Sequence, residues 1–297
     1  MTVIHLPFAP PYDWAAMSSF LKSRAIPGVE CVDASGHYHR LILTGGVRGT
    51  ICVSPEPDTT TLRLSISGAM AAHHHAIVNR VRDIFDLAAD PQAIAGVLGR
   101  DPDLGPLLHI RPGLRVPGAW DGFELAIRAI LGQQITVAAA TRLAGKLVAR
   151  FGVPLDNPWC PFLTHAFPSP DIIAESDLSV LGMPASRARA LSALATVARA
   201  EPDLFAIGSA LETSIARLKT VKGIGDWTAQ YIAMRALRQS DAFPAADIGL
   251  MRALSDAKGI RPTPTELLAR AESWRPWRAY AALHLWMSEV SVTGSPQ

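Results

Sequence analysis

The tightest constraint on this chain is one short stretch, Leu218-Lys219-Thr220-Val221-Lys222-Gly223-Ile224-Gly225-Asp226-Trp227-Thr228-Ala229. Ile215 and Leu218, at helical spacing, lead into it, a tight Gly-x-Gly turn follows, and a new helix is predicted from about Asp226. Two glycines around one apolar residue allow positive φ and clear the approach path of side chains. Ile224 can tuck inward and lock the two helices together. The first N–H groups of the second helix then face outward, where the helix dipole favours an anion. On spacing alone the segment is either a packing corner without a ligand or a grip on one backbone phosphate, indifferent to base sequence.

The rest of the chain divides around this hairpin. Strands are predicted over 38–43, 49–53 and 61–67, the last from the period-two alternation of Leu62, Leu64 and Ile66. Helices are predicted over 73–88, 121–131 and 137–151, from Ser186 as cap through Ala200, and through most of 211–290. Four prolines between Gly99 and Gly122 read as a connector. The expected organisation is an α+β domain with an antiparallel sheet over 1–98, a connector over 99–122, a helical subdomain over 123–230 with the hairpin at about 211–237, and a second helical subdomain over 231–297.

Among 297 residues, 49% are hydrophobic and 18% charged, so a large core is available and wholesale disorder is excluded. No apolar run approaches the ~20 residues of a membrane span, and the start lacks a basic region followed by an apolar one. Cys31, Cys52 and Cys160 are too few for a disulfide framework or an all-cysteine metal site. His73-His74-His75 points its rings to different faces of a helix and reads as a solvated helix start. The expectation is a soluble, cytoplasmic monomer. A net charge of +2 is too small for binding by a general phosphate field, so any contact with DNA should be local, through backbone amides and a few cations.

Asp247 lies eighteen residues past Ala229 and opens a predicted helix after the Pro-broken Phe243-Pro244 loop. Its plain role is an N-cap, a contribution of about 1 kcal/mol. Asp241 lies nearby, before that loop rather than at the helix start. Trp227 and Tyr231, four apart, share one helix face, which is the signature of core packing or of an aromatic pocket wall. Gln133 and Gln134 fall between two helices, as in an ordinary solvated turn.

With Thr228-Ala229 at the expected offset, the hairpin resembles the helix-hairpin-helix motif, although Lys222 stands where the motif usually has proline. Hairpin and Asp247 together resemble the DNA glycosylase superfamily built on that motif. Trp227 occupies the position where strand-cleaving members carry a lysine, so no Schiff base is expected. The absence of a C-terminal cysteine quartet separates the chain from the endonuclease III and adenine-mismatch branches. The resemblance sharpens to the bacterial DNA-3-methyladenine glycosylase II family on four stretches: Pro10-Pro11-Tyr12-Asp13-Trp14, Arg128–Ile135, Gly223–Tyr231 and Trp274–Trp286.

That resemblance implies a TATA-binding-protein-like first domain and an all-α glycosylase body. It implies hydrolysis of the N-glycosidic bond of alkylated purines flipped out of duplex DNA, without strand cleavage. By the same resemblance Asp247 is catalytic, and Trp227, Tyr231, Trp286 and Phe20 line the base pocket. Val221, Lys222, Gly223, Gly225 and Thr228 form the phosphate hairpin, and Gln133, Gln134 and Ile135 supply the wedge that fills the emptied stack. Trp274 and Trp277 are read as structural. No organic cofactor is implied; a monovalent cation at the hairpin carbonyls is the one ion that the resemblance allows. The rival readings are a glycosylase for oxidised or deaminated bases and a DNA-damage-binding module without catalysis.

Overall fold

A computed structural model describes residues 1–44, 46–155 and 161–293. Five strands, β1 (Thr2–Pro7), β2 (Glu30–Val32), β3 (Tyr38–Thr44), β4 (Val47–Pro55) and β5 (Thr61–Ile66), form one antiparallel sheet in the order β1-β5-β4-β3-β2. Leu62, Leu64 and Ile66 are fully buried on its inner face, beneath α1 (Trp14–Arg24) and α2 (His74–Ile84). The Pro10–Trp14 stretch seats α1. Asp13 caps the helix by accepting from the Ala16 N–H at 2.8 Å, and the Tyr12 hydroxyl donates to the Phe85 carbonyl at 2.8 Å. The Trp14 indole donates to the Gly36 carbonyl at 3.2 Å.

Helices continue as α3 (Pro91–Leu98), α4 (Leu104–Ile110), α5 (Gly122–Leu131), α6 (Val137–Phe151), α7 (Pro170–Glu175) and α8 (Ala185–Ala200). They end with α9 (Leu211–Lys219), α10 (Asp226–Arg235), α11 (Ile248–Ala253), α12 (Pro264–Ala271) and α13 (Arg278–Thr293). Among the described residues, no helix is long and apolar enough to cross a membrane.

Three boundaries differ from the sequence reading. The stretch 99–122 holds α4, started where Asp101 accepts from the Leu104 N–H, and buried Leu104 and Leu108 join the core of the body rather than bridging it. The division at 230/231 falls inside α10, and one apolar cluster runs from Ile94 to Leu285, so the helical part has a single continuous core. Ser186 lies inside α8; Pro184, in extended conformation, sets the helix start without a side-chain cap. Cys160 lies outside the described residues.

Sheet and body are joined by buried charge. Arg40 of β3 binds Glu30 at 2.9 Å and Glu124 of α5, while Arg128 of α5 binds Glu124 at 2.6 Å and also Glu30. Burial alone would raise the Glu30 pKa, but Arg128 and Arg40 beside it, with a hydrogen bond from Tyr38, hold it down at about 2. Arg128 also donates to the Arg24 carbonyl at 2.8 Å, fixing the end of α1. A cavity of about 30 Å³ opens beside this network, lined in part by Phe20, Arg24, Trp120 and Arg235.

Candidate active site

The hairpin closes as its composition requires. Leu218, Val221 and Ile224 are buried, and the Ile224 N–H donates to the Val221 carbonyl at 3.0 Å. Gly223 takes φ +99°. A side chain there would bring Cβ within 2.4 Å of the Ala190 Cβ, so this glycine is demanded by both conformation and packing. Gly225 differs: a Cβ there would meet nothing within 4 Å. Gly225 caps α10 without any side-chain cap, so the first N–H groups of that helix open onto the same clear space.

Lys222 is exposed beside them, and Asp226 is paired with Lys219 at 3.3 Å, which offsets its negative charge. Two residues assigned to the hairpin face inward. The Val221 N–H donates to the Leu218 carbonyl at 3.2 Å and its side chain is buried, so the side chain packs the turn and only the carbonyl is left to meet a ligand. Thr228 is buried, its hydroxyl accepting from Gln133 at 3.1 Å. The hairpin carbonyls fit a hard monovalent cation, since main-chain oxygens already accepting one hydrogen bond, as at Val221 and Gly223, keep a second lone pair.

Gln133 is tied to the hairpin by the same contacts. Its side-chain amide donates to the Gly223 carbonyl at 3.0 Å and to Thr228, and its main-chain carbonyl accepts from Arg187 at 2.5 Å. Gln134 is exposed and held at φ +58°, a left-handed conformation that few residues other than glycine adopt. Ile135 beside it is half-buried.

Behind the hairpin, α10, α11 and α13 converge on one carboxylate. Asp247 does cap α11: its Oδ1 accepts from the Leu250 N–H at 3.0 Å. Oδ1 also accepts from the Trp286 indole at 2.9 Å, and Oδ2 accepts from the Trp227 indole at 2.7 Å. Oδ1 thus has both lone pairs engaged, while Oδ2 keeps one open. Capping α11 therefore leaves the carboxylate within reach of both indoles. Gly249 makes room for this arrangement, since a Cβ there would lie 3.0 Å from Asp247 Oδ1 and 3.4 Å from the Trp286 ring.

The rings around the carboxylate form a partial box. Trp227 and Tyr231 stack with centroids 5.3 Å apart and planes inclined by 7°, and Trp286 meets Tyr231 edge-on at 6.4 Å. Phe20 joins through cations: the Arg24 guanidinium lies 3.9 Å from its ring centre and that of Arg235 lies 4.8 Å away. Arg235 also donates to the Tyr231 hydroxyl at 2.7 Å and to the carbonyls of Pro117 and Gly118. Burial opposes ionisation of Tyr231, yet Arg235 and Arg24 hold its pKa below the ordinary tyrosine value.

Neither Arg24 nor Arg235 was marked by the sequence. The available signal was Arg235 standing four residues past Tyr231 on the same helix. Asp241 is engaged elsewhere, accepting from Arg278 at 2.8 Å and from Arg275. Trp274 is buried with its indole donating to Asp101 at 2.8 Å, a structural placement.

Comparisons with known proteins give the family. Residues 3–121 match the family model described as AlkA N-terminal domain, and residues 127–279 match the HhH-GPD superfamily base excision DNA repair protein model. The chain is 37% identical over 288 residues to DNA-3-methyladenine glycosylase 2 of Escherichia coli (strain K12), covering 96% of both chains. It is 36% identical over 286 residues to the probable bifunctional transcriptional activator/DNA repair enzyme AlkA of Mycobacterium tuberculosis, covering 95% of this chain and 56% of that longer protein. A solved 3-methyladenine DNA-glycosylase from Archaeoglobus fulgidus shares the fold, with a TM-score of 0.84 at 24% identity and 99% coverage of both chains. The chain belongs to the HhH-GPD superfamily of base excision DNA repair proteins, in the branch that carries an AlkA N-terminal domain.

Proposed function

We propose that this protein is a monofunctional DNA glycosylase that hydrolyses the N-glycosidic bond of alkylated purines in duplex DNA and leaves an abasic site. The observation that carries the reading is Asp247, fixed by two indole N–H donors at the edge of a stacked Trp227–Tyr231 wall.

Alkylation at purine N3 or N7 makes the base cationic and weakens its bond to the sugar, so it departs as a neutral molecule with little acid assistance. The protein has two tasks left: holding the extruded base and meeting the charge that develops on the sugar. Flipping costs a few kcal/mol. Stacking on an aromatic returns about 1–3 kcal/mol, and a desolvated cation–π contact adds about 2. The indole and phenol faces therefore favour a cationic purine without reading its hydrogen-bonding edge.

Asp247 Oδ2, with its open lone pair, faces the developing oxocarbenium sugar or orients the attacking water. Gly225 and the start of α10 take a phosphate, with Lys222 alongside. The hairpin carbonyls would hold a monovalent cation, which would add positive charge against that phosphate. Gln134 fills the gap left by the flipped nucleotide. Trp227, without an amine, leaves no route to a covalent sugar adduct. The protein acts as a monomer in the cytoplasm.

Incubating the protein with methylated DNA and separating the released bases by chromatography tests this reading. 3-Methyladenine and 7-methylguanine are expected. Release of only oxidised or deaminated bases from a matching panel would select the rival lesion class, and no release with intact DNA binding would select the non-catalytic one.

A further inference from the structure

The outward face of the N-terminal sheet carries a group of side chains that base excision does not use. Antiparallel pairing sets His39 of β3 opposite Cys52 of β4. Strand alternation turns both away from the core filled by Tyr38, Ile51 and Val53. His37, just before β3, comes close to the same two side chains. Asp33 shapes the turn leading into β3, its Oδ1 accepting from the Ser35 and His37 N–H groups at 2.9 Å each.

His39 Nε2 lies 2.8 Å from Asp33 Oδ2 and 3.9 Å from Cys52 Sγ, and His37 Nδ1 lies 3.6 Å from the same carboxylate oxygen. One donor atom each from His37, His39 and Cys52 falls within 4.8 Å of the others. His39 and Cys52 are half-buried, which limits the number of competing waters.

We propose that His37, His39 and Cys52, with Asp33 as fourth ligand, form a binding site for a zinc-class divalent cation. In a tetrahedral site with Zn–N near 2.0 Å and Zn–S near 2.3 Å, neighbouring donors stand roughly 3.3–3.7 Å apart. The His39–Asp33, His37–Asp33 and His39–Cys52 separations of 2.8, 3.6 and 3.9 Å lie about that edge, and the donors of His37, His39 and Cys52 all fall within 4.8 Å, so binding needs the side chains to draw together around the ion. Two imidazoles with a thiolate suit a borderline-soft ion and do not suit calcium or magnesium, which take oxygen ligands. Thiolate and carboxylate together neutralise a dication. On binding, the ion displaces the Cys52 thiol proton, which passes to solvent.

His39 and Cys52 sit on adjacent paired strands, so little backbone ordering is left for the ion to impose, and it would staple the turn before β3 to β4. The rings of His74 and His75, centroids 3.9 Å apart and inclined by 37°, are not part of any three-ligand group among the described residues.

The test uses the full chain, stripped with chelator and titrated with Co²⁺. A thiolate-to-cobalt charge-transfer band with tetrahedral visible bands is expected at one ion per chain, displaced by Zn²⁺, and Zn²⁺ should raise the Tm of the stripped protein. Cys52→Ser should abolish the charge-transfer band, and His39→Gln should weaken Zn²⁺ binding at least about 100-fold, beyond what loss of an outer-shell partner costs. Both substitutions lie on the outward face, and far-UV circular dichroism should show the fold retained. Joint His74→Ala and His75→Ala substitution should change nothing. The site is refuted by absence of the charge-transfer band, by its survival in Cys52→Ser, or by loss of binding in the His74/His75 variant.

Discussion

The Trp227 indole N–H points at Oδ2 of Asp247 across 2.7 Å, so the ring stacked on Tyr231 also aims the carboxylate. With Trp286 on the other oxygen, the two indoles serve packing and electrostatics together.

Replacing Asp247 by Asn tests the carboxylate. An amide must set its NH₂ against one of the two indole N–H donors, so the variant loses charge and gains a donor–donor clash. Base release in single turnover should fall at least about 100-fold, and stability by about 1–3 kcal/mol. Affinity for DNA with an abasic-site analogue should persist. Release close to the wild-type rate would remove Asp247 from the chemistry.

Trp227→Phe and Trp286→Phe separate stacking from aiming. Each keeps an aromatic face and deletes one hydrogen bond to a charged acceptor, about 1.5–3 kcal/mol. Single-turnover excision should drop roughly 10–100-fold at 1.4 kcal/mol per decade, with binding of lesion DNA little changed. If Phe restores full activity where Ala does not, the indole N–H groups have no part in orienting Asp247.

The two hairpin glycines should respond in opposite ways. Gly223→Ala forces a side chain onto Ala190 and into a left-handed backbone, so the protein should lose stability, read by urea denaturation. Gly225→Ala meets no protein atom and should fold normally, yet its methyl stands where a phosphate would approach. Its expected effect is weaker binding to duplex DNA irrespective of lesion. Unchanged affinity in that variant would place the DNA backbone elsewhere.

Much of this was legible in the chain. Leu62, Leu64 and Ile66 announced β5, and the Gly-x-Gly turn announced the hairpin, because each pattern repeats one strong local preference. β1, β2 and α1 escaped: β2 has three residues, and β1 buries only Leu6, so neither shows a periodicity that a single chain reveals. Asp247 and its aromatic neighbours were placed by resemblance to a family, since nothing in the spacing says that residues 227, 247 and 286 meet. Arg235 carries no mark in the sequence, and its contacts appear only where α1 brings Phe20 alongside. His39 and Cys52, thirteen residues apart, are united by strand register alone.

Acid should loosen the joint between sheet and body. Glu30 is held at about 2 in the fold against an ordinary value of 4.5, so its contribution is fully present above 4.5 and is lost as pH falls toward 2. Glu30→Gln leaves Arg40 and Arg128 one carboxylate short and should cost about 3–5 kcal/mol near neutrality. Its stability, followed by urea denaturation, should then fall less steeply below pH 4.5 than that of the wild type. Parallel acid limbs in the two proteins would show that Glu30 is not the titrating group.

The Gln133 amide, seated on the Gly223 carbonyl, fastens the loop that carries Gln134 to the Gly223–Gly225 turn. The two therefore behave like the jaws of a fixed caliper, whose opening is set before any duplex arrives. If the hairpin and Gln134 meet DNA as proposed, a strand kinked to that gauge would fit at once, while a straight one would have to bend first.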